Sequence, residues 1–170
     1  MEFGNVGIIG VGVMGFAMAN NLSAAGYQIF GFDPAPAAQD RLRSIGGNVI
    51  ASPRDIAERC ATILFSLPSA DALANAIGGE DGVAKASATG TIVIECSTLP
   101  LDVKRHALEV LTQSGKTMLD CPVSGTGAQR ARTSSFSAAA TPTPSNDLFP
   151  LWRGCRASSA TWEPSATAAS

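Results

Sequence analysis

Three glycines, Gly10, Gly12 and Gly15, and the aspartate Asp33 are the residues of this 170-residue chain whose types and spacing carry the most chemistry. The apolar run from Val6 ends in Gly-Val-Gly-Val-Met-Gly and passes directly into Phe16–Leu22, which has helical spacing. Gly10 permits a sharp turn, Gly12 removes the side chain that would block a diphosphate, and Gly15 lets a helix pack closely on a strand. Val13 and Met14 open that helix, so unpaired backbone N–H groups and the positive end of its dipole face an anion. Asp33 closes a second apolar run, Gln28–Asp33, about twenty residues past the turn, where a carboxylate accepts hydrogen bonds from ribose hydroxyls. A carboxylate there also repels a 2′-phosphate. No arginine follows at once, Arg41 and Arg43 lying further along, so NAD is favoured over NADP.

These residues need elements to hold them, and the chain alternates accordingly. Gly26 reads as the cap of the first helix. Ala37 to Ile45 reads as a short helix closed by Gly46-Gly47, and Asn48 to Ala51 as a short strand. Ser52-Pro53-Arg54-Asp55 announces another helix, with serine as N-cap, proline in the first turn and an acid near the positive end. Thr62–Leu67 is a buried strand halted by Pro68; the Leu67-Pro68 turn fits plain punctuation as well as a cofactor contact. Ala70 to Ile77 is helical, Gly78–Val83 a loop, Ala84 to Ala88 a short turn or helix, and Thr91–Thr98 a strand with a polar exit. Pro100 opens a helix from Leu101 to Ser114 whose Val103, Ala107, Val110 and Leu111 form an apolar stripe. His106, the only histidine, falls between those positions and reads as a surface residue. Lys116–Cys121 is a further strand, stopped by Pro122. Strand–helix alternation with right-handed crossovers gives parallel strands with helices on both faces. The fold class expected is α/β, a Rossmann-type doubly wound sheet, with a dinucleotide crossing the carboxyl ends of the strands near Gly10.

A net charge of −2 gives no electrostatic reason to expect nucleic acid or an anionic membrane as partner. Cys60, Cys96, Cys121 and Cys155 are scattered, with no C-x-x-C pair and no histidine at ligand spacing. That pattern argues for reduced thiols, a cytoplasmic location and no structural metal. The apolar N-terminus lacks the basic region of a signal peptide, since the first basic residue is Arg41, and no run is long enough to span a bilayer.

A second informative stretch is Asp120-Cys121-Pro122-Val123-Ser124-Gly125-Thr126-Gly127. Small residues after a strand end expose backbone N–H groups, and Ser124 adds a hydroxyl. Read alone, the stretch fits a plain Ser/Gly loop as well as a carboxylate clamp. Together, Ile9–Gly15, Leu67-Pro68, Cys96-Ser97-Thr98 and Asp120–Gly125 stand in the order and spacing of the β-hydroxyacid dehydrogenases, which the chain resembles from about Val6 to Ala131. That family includes 3-hydroxyisobutyrate, tartronate semialdehyde and 6-phosphogluconate dehydrogenases. The resemblance implies NAD(P)-dependent oxidation of a small 3-hydroxy acid or reduction of the oxo acid. It implies that Gly10, Gly12, Val13, Met14, Gly15 and Asp33 hold the adenosine and pyrophosphate half of the cofactor. Leu67, Pro68 and Thr98 would lie toward the nicotinamide, and Ser124, Gly125 and Thr126 would match the substrate-carboxylate clamp. Thr126 departs from the family, which has a second glycine there.

After Ala131 the character changes. Residues 132–170 are rich in Ser, Ala, Thr and Pro, hold both tryptophans and show no sustained period. The expected division is therefore a dinucleotide-binding domain over 1–131 and a mostly irregular, low-complexity tail over 132–170. The family instead continues with further strands and an all-helical domain that carries a catalytic lysine; none of Lys85, Lys104 or Lys116 matches that lysine. With serine codons of the TCN type, a two-base shift turns Thr133-Ser134-Ser135-Phe136 into an apolar run. The same shift lets Thr161 to Ser170 read Val-Gly-Ala-Phe-Gly-Asn-Gly-Ser-Lys, which resembles the family's approach to its lysine. The tail thus reads as frameshifted coding sequence, or as a natural Ser/Pro-rich segment. Two functions from different classes follow: an oxidoreductase by descent, or a non-catalytic dinucleotide-binding fragment or nucleotide-sensing module. In the fragment reading, the sheet is incomplete and the family's oligomer is not formed.

Overall fold

A computed structural model describes residues 4–122 and the short strand 156–157. Strands β1 (Asn5–Ile9), β2 (Gln28–Phe32), β3 (Asn48–Val49), β4 (Thr62–Phe65), β5 (Ile92–Glu95), β6 (Thr117–Asp120) and β7 (Arg156–Ala157) form one sheet. Their order is β3-β2-β1-β4-β5-β6-β7. The first six run parallel, with Ile9 beside Phe32 on one side and Phe65 on the other. This is the doubly wound order expected from the alternation, reversing direction at β1. β7 pairs antiparallel with β6, Asp120 opposite Arg156, so one short strand falls within the tail expected to be irregular. The rest of that tail, and the candidate clamp Ser124, Gly125 and Thr126, lie outside the described residues.

The period of two in each strand divides the core. Val6, Ile8, Ile29, Leu64, Ile94 and Leu119 point to one face, where they meet Ala19 and Leu22 of α1 (Val13–Ala24) and Leu42 of α2 (Pro36–Ser44). Ile9, Ile63, Phe65, Val93 and Met118 point to the other face. There they meet Ile56 of α3 (Pro53–Ala57), Leu73 and Ile77 of α4 (Ala70–Gly78), and Ala107 and Leu111 of α5 (Leu101–Gln113). Both faces of the sheet are covered by helices, and the central strands accordingly carry apolar residues at consecutive rather than alternate positions.

Local signals act where the sequence placed them. Ser52 caps α3 by accepting from the Asp55 N–H at 3.1 Å, with Pro53 at its first position. Ser69 caps α4 in the same way, through the Ala72 N–H at 3.2 Å. The turn after Gly82 is a 3-10 turn, Val83–Lys85, shorter than the Ala84–Ala88 segment read from the sequence. His106 is exposed on α5, 4.0 Å from the Glu109 carboxylate, which is the surface placement its position in the helical period predicts.

Candidate cofactor cleft

The carboxyl ends of β1, β2 and β4 open onto a cleft of about 750 Å³, within the usual range for small-molecule and cofactor sites. Gly10, Gly12, Val13, Met14, Asp33, Leu67 and Pro68 all line it, so the structure gathers seven sequence-predicted residues into one place. Gly15 and Thr98 are not among the lining residues. Gly15 lies under the turn, and Thr98 is exposed at the exit of β5.

The three glycines have separate reasons. Gly10 has φ +87°, and a Cβ on it would stand 2.2 Å from the Ser66 carbonyl oxygen. A Cβ on Gly15 would stand 1.9 Å from the Gly10 carbonyl oxygen, so α1 approaches the turn as closely as glycine alone permits. At Gly12 a Cβ would meet nothing within 4 Å. The space beside Gly12 is therefore open to the cleft and not filled by protein, which is the notch a diphosphate needs. Gly12 is the N-cap of α1, with no side chain capping the helix and no acid in its first turn. The first N–H groups of α1 thus lack an intrahelical partner and face the notch, with exposed Val13 beside it. The residues present fit a dinucleotide diphosphate.

Asp33 is aimed before any ligand arrives. Its Oδ2 accepts from the Val11 N–H and its Oδ1 from the Ala35 N–H, both at 2.8 Å. Each oxygen keeps a further lone pair for a ribose hydroxyl. Gln39 Nε2 donates to the Asp33 carbonyl at 2.9 Å and holds the backbone. Arg41 donates to the Val11 carbonyl at 3.1 Å, with its guanidinium 5.5 Å from the centre of the Phe16 ring.

Sequence reading missed the opposite wall. Pro53 at the start of α3 also lines the cleft, as do Ala72, Asn75, Ala76, Glu80 and Asp81, brought there by α4 and the loop after it. Glu80 and Asp81 join Asp33 as carboxylates, and no lysine, arginine or histidine is among the described lining residues. Such a rim disfavours the extra phosphate of NADP and leaves diphosphate binding to backbone N–H groups.

Beyond Leu67, at the exits of β5 and β6, charged groups are buried together. The Leu67 N–H donates to Ser97 Oγ at 2.8 Å, and the Ser97 N–H donates to Glu95 Oε1 at 2.7 Å. Lys104 Nζ donates to the Ser97 carbonyl at 2.8 Å and to Asp120 Oδ1 at 2.5 Å. Glu95 is fully buried, and its Oε2 has no hydrogen-bond partner, with Lys104 Nζ 4.0 Å away. Burial pushes the Glu95 carboxyl above its ordinary range, against the opposing pull of the Ser97 hydrogen bonds and the Lys104 charge. Burial likewise pushes the thiols of Cys60 and Cys96 up to about 12. Both are free, as expected, but Cys121 is disulfide-bonded, which departs from the expectation of reduced thiols throughout. Lys116 is held by the carbonyls of Ala86 at 3.1 Å and Ser114 at 3.2 Å. Neither Lys104 nor Lys116 lines the cleft, and Lys85 is exposed on the 3-10 turn. Among the described residues, no cluster of His, Cys, Asp or Glu could hold a metal ion, and no helix is long and apolar enough to cross a membrane.

The chain is similar to several known proteins. L-threonate dehydrogenase of Cupriavidus necator is 36% identical over 127 residues, covering 75% of this chain and 42% of the relative. NAD-dependent L-serine dehydrogenase of Pseudomonas aeruginosa is 35% identical over 120 residues, covering 71% of this chain and 40% of the relative. The structure of Mycobacterium tuberculosis 3-hydroxyisobutyrate dehydrogenase with L-serine superposes with a TM-score of 0.67 at 29% identity, covering 72% of this chain and 41% of that one. The chain thus spans about two fifths of the length of these relatives. The family profile for the NAD binding domain of 6-phosphogluconate dehydrogenase matches residues 5–150. With its doubly wound sheet, its glycine turn and an aspartate at the end of β2, the chain belongs to that family of NAD-binding domains.

Proposed function

We propose that this chain is the NAD-binding part of a dehydrogenase that transfers hydride between the nicotinamide and a small 3-hydroxy acid. The observation that carries the reading is the unfilled notch at Gly12 beside an already oriented Asp33. The α1 N-terminus binds the diphosphate there, Asp33 takes the adenosine ribose, and Leu67 and Pro68 support the cofactor farther along. Ser124, Gly125 and Thr126 hold the substrate carboxylate, and Thr98 lies along the cofactor toward the nicotinamide. Bound NAD supplies the hydride acceptor; the chain's own residues bind and orient it. The relatives that act on threonate, serine and 3-hydroxyisobutyrate support the substrate class. The free thiols of Cys60 and Cys96 support work in the cytoplasm while the disulfide at Cys121 stands against it, and the −2 net charge supports no nucleic-acid partner.

A second reading is a dinucleotide-binding fragment without turnover that does not form the family's oligomer. It is favoured by Lys85, Lys104 and Lys116, none of which is among the described residues lining the cleft. Loss of a general acid/base lowers rates by about 10²–10⁴. Titration with NADH and NADPH, followed by a turnover assay with 3-hydroxyisobutyrate and L-serine, separates the two. Binding of NADH with little turnover is expected from residues 1–170 alone, and ordinary rates select the complete enzyme. A folded protein with no NADH affinity refutes both. The division at Ala131 is tested in the gene, where an insertion or deletion near that codon supports a frameshifted tail over 132–170.

A further inference from the structure

The buried charges at the exits of β5 and β6 take no part in the binding just proposed, yet their hydrogen bonds lead to the cleft. Lys104 on α5 is buried, with its side chain 4% exposed. Its ammonium spans two strands, reaching Asp120 at the end of β6 and the carbonyl of Ser97 just past the end of β5. Ser97 then accepts from the Leu67 N–H at the end of β4. An unbroken path therefore runs from Asp120 through Lys104 and Ser97 to Leu67, across three neighbouring strand exits. Burying a lysine is costly unless its protons are taken up, and here two are bonded while the third has the orphaned Glu95 Oε2 at 4.0 Å. A hydrophobic side chain would fill the same space without that cost, so stability alone gives no reason for the arrangement.

We propose that Lys104 is a positioning residue that ties the β6 exit at Asp120 to the Leu67-Pro68 turn, so that the part of the cleft over β4 is held in shape for the far half of a dinucleotide. This rests on the NAD-binding reading above. The sheet order gives the two halves their places. Asp33 at the end of β2 and Leu67 at the end of β4 flank the glycine turn of β1 on opposite sides. A ligand whose ribose reaches Asp33 and whose diphosphate lies at Gly12 must extend over β4 with whatever follows the diphosphate. The Lys104 path therefore bears on that second half and leaves the adenosine half alone. Only the Leu67 N–H, which donates to Ser97 Oγ, links the path to the turn.

The prediction is read with two ligands on the full chain. ADP occupies the adenosine and diphosphate positions; NADH occupies those and extends over β4. Ser97→Ala removes the acceptor for the Leu67 N–H while leaving the Ser97 carbonyl bonded to Lys104. Lys104→Met removes the ammonium at nearly constant volume. Calorimetric titration is expected to show NADH bound about three- to tenfold more weakly by Ser97→Ala, the loss of one hydrogen bond. ADP affinity is expected to stay within twofold of the starting protein. Lys104→Met, where it folds, is expected to show the same selective loss. Ser97→Ala disturbs less of the buried cluster and carries the test if Lys104→Met does not fold. Equal weakening of both ligands, or no change in either, overturns the proposal. A starting protein that binds neither ADP nor NADH overturns the NAD-binding reading, and this inference falls with it in a recognisably different way.

Discussion

Replacing Gly12 by alanine separates binding from stability more sharply than any other change in the cleft. The backbone at Gly12 has φ −65° and ψ −161°, which alanine adopts without strain, and its new Cβ would meet no protein atom within 4 Å. Reduced freedom of the unfolded chain stabilises such a replacement by about 0.4–1 kcal/mol. Alanine is a poorer N-cap than glycine by about 0.5–1 kcal/mol. The two nearly cancel, so the melting temperature is expected to move by no more than about 3 °C. Binding is another matter, because the methyl group stands where the diphosphate must approach the first N–H groups of α1. Two charge-assisted hydrogen bonds lengthened or lost, each worth about 1.5–3 kcal/mol, weaken NADH by on the order of 100-fold or more. The assay is calorimetric NADH titration with a thermal melt of the same preparation. An NADH affinity within threefold of the unsubstituted protein, with folding intact, would refute the assignment of this notch to the diphosphate.

Other expectations follow from neighbouring residues. Gly15→Ala puts a methyl group 1.9 Å from the Gly10 carbonyl oxygen, and is expected to cost about 2 kcal/mol of stability in urea unfolding. Asp33→Asn keeps one amide contact but removes the negative charge; NADH affinity should fall, and the preference for NADH over NADPH should shrink by about tenfold in paired titrations. Burial raises the Glu95 carboxyl above the ordinary carboxylate range, so the folded protein holds that proton more tightly than the unfolded chain does. Its stabilising effect is complete below about pH 4.5 and is lost as pH rises through the raised value. Glu95→Gln should flatten that part of the stability–pH curve measured by urea unfolding. An unchanged curve would place the proton elsewhere.

The glycine turn and Asp33 were legible because they are local: a strand, a turn and a helix start are adjacent in sequence, and one further strand returns with an acid at its end. The strand exits at Leu67 and Ser97 were legible for the same reason, although Ser97 and Thr98 stand outside the cleft that Leu67 and Pro68 line. The wall built by Asn75, Ala76, Glu80 and Asp81 was not legible. Those residues carry no pattern of their own and reach the cleft only because α4 packs Leu73 and Ile77 against the sheet. Lys104 had a usable signal that went unread. It lies three and seven residues before Ala107 and Leu111, so the helical period alone puts it on the buried face of α5. Lysine in a stripe of that kind reads as a solvated edge until Asp120 and Ser97 are found opposite it.

The two backbone amides that grip Asp33 have a kinetic meaning. A side chain already restrained has few rotamers to surrender when its partner docks, so under the proposed binding mode the sugar would meet a rigid acceptor and not one that must be ordered. Arrival and departure of the adenosine end are then expected to proceed without local rearrangement. Any slow isomerisation during cofactor exchange should originate on the opposite side of β1.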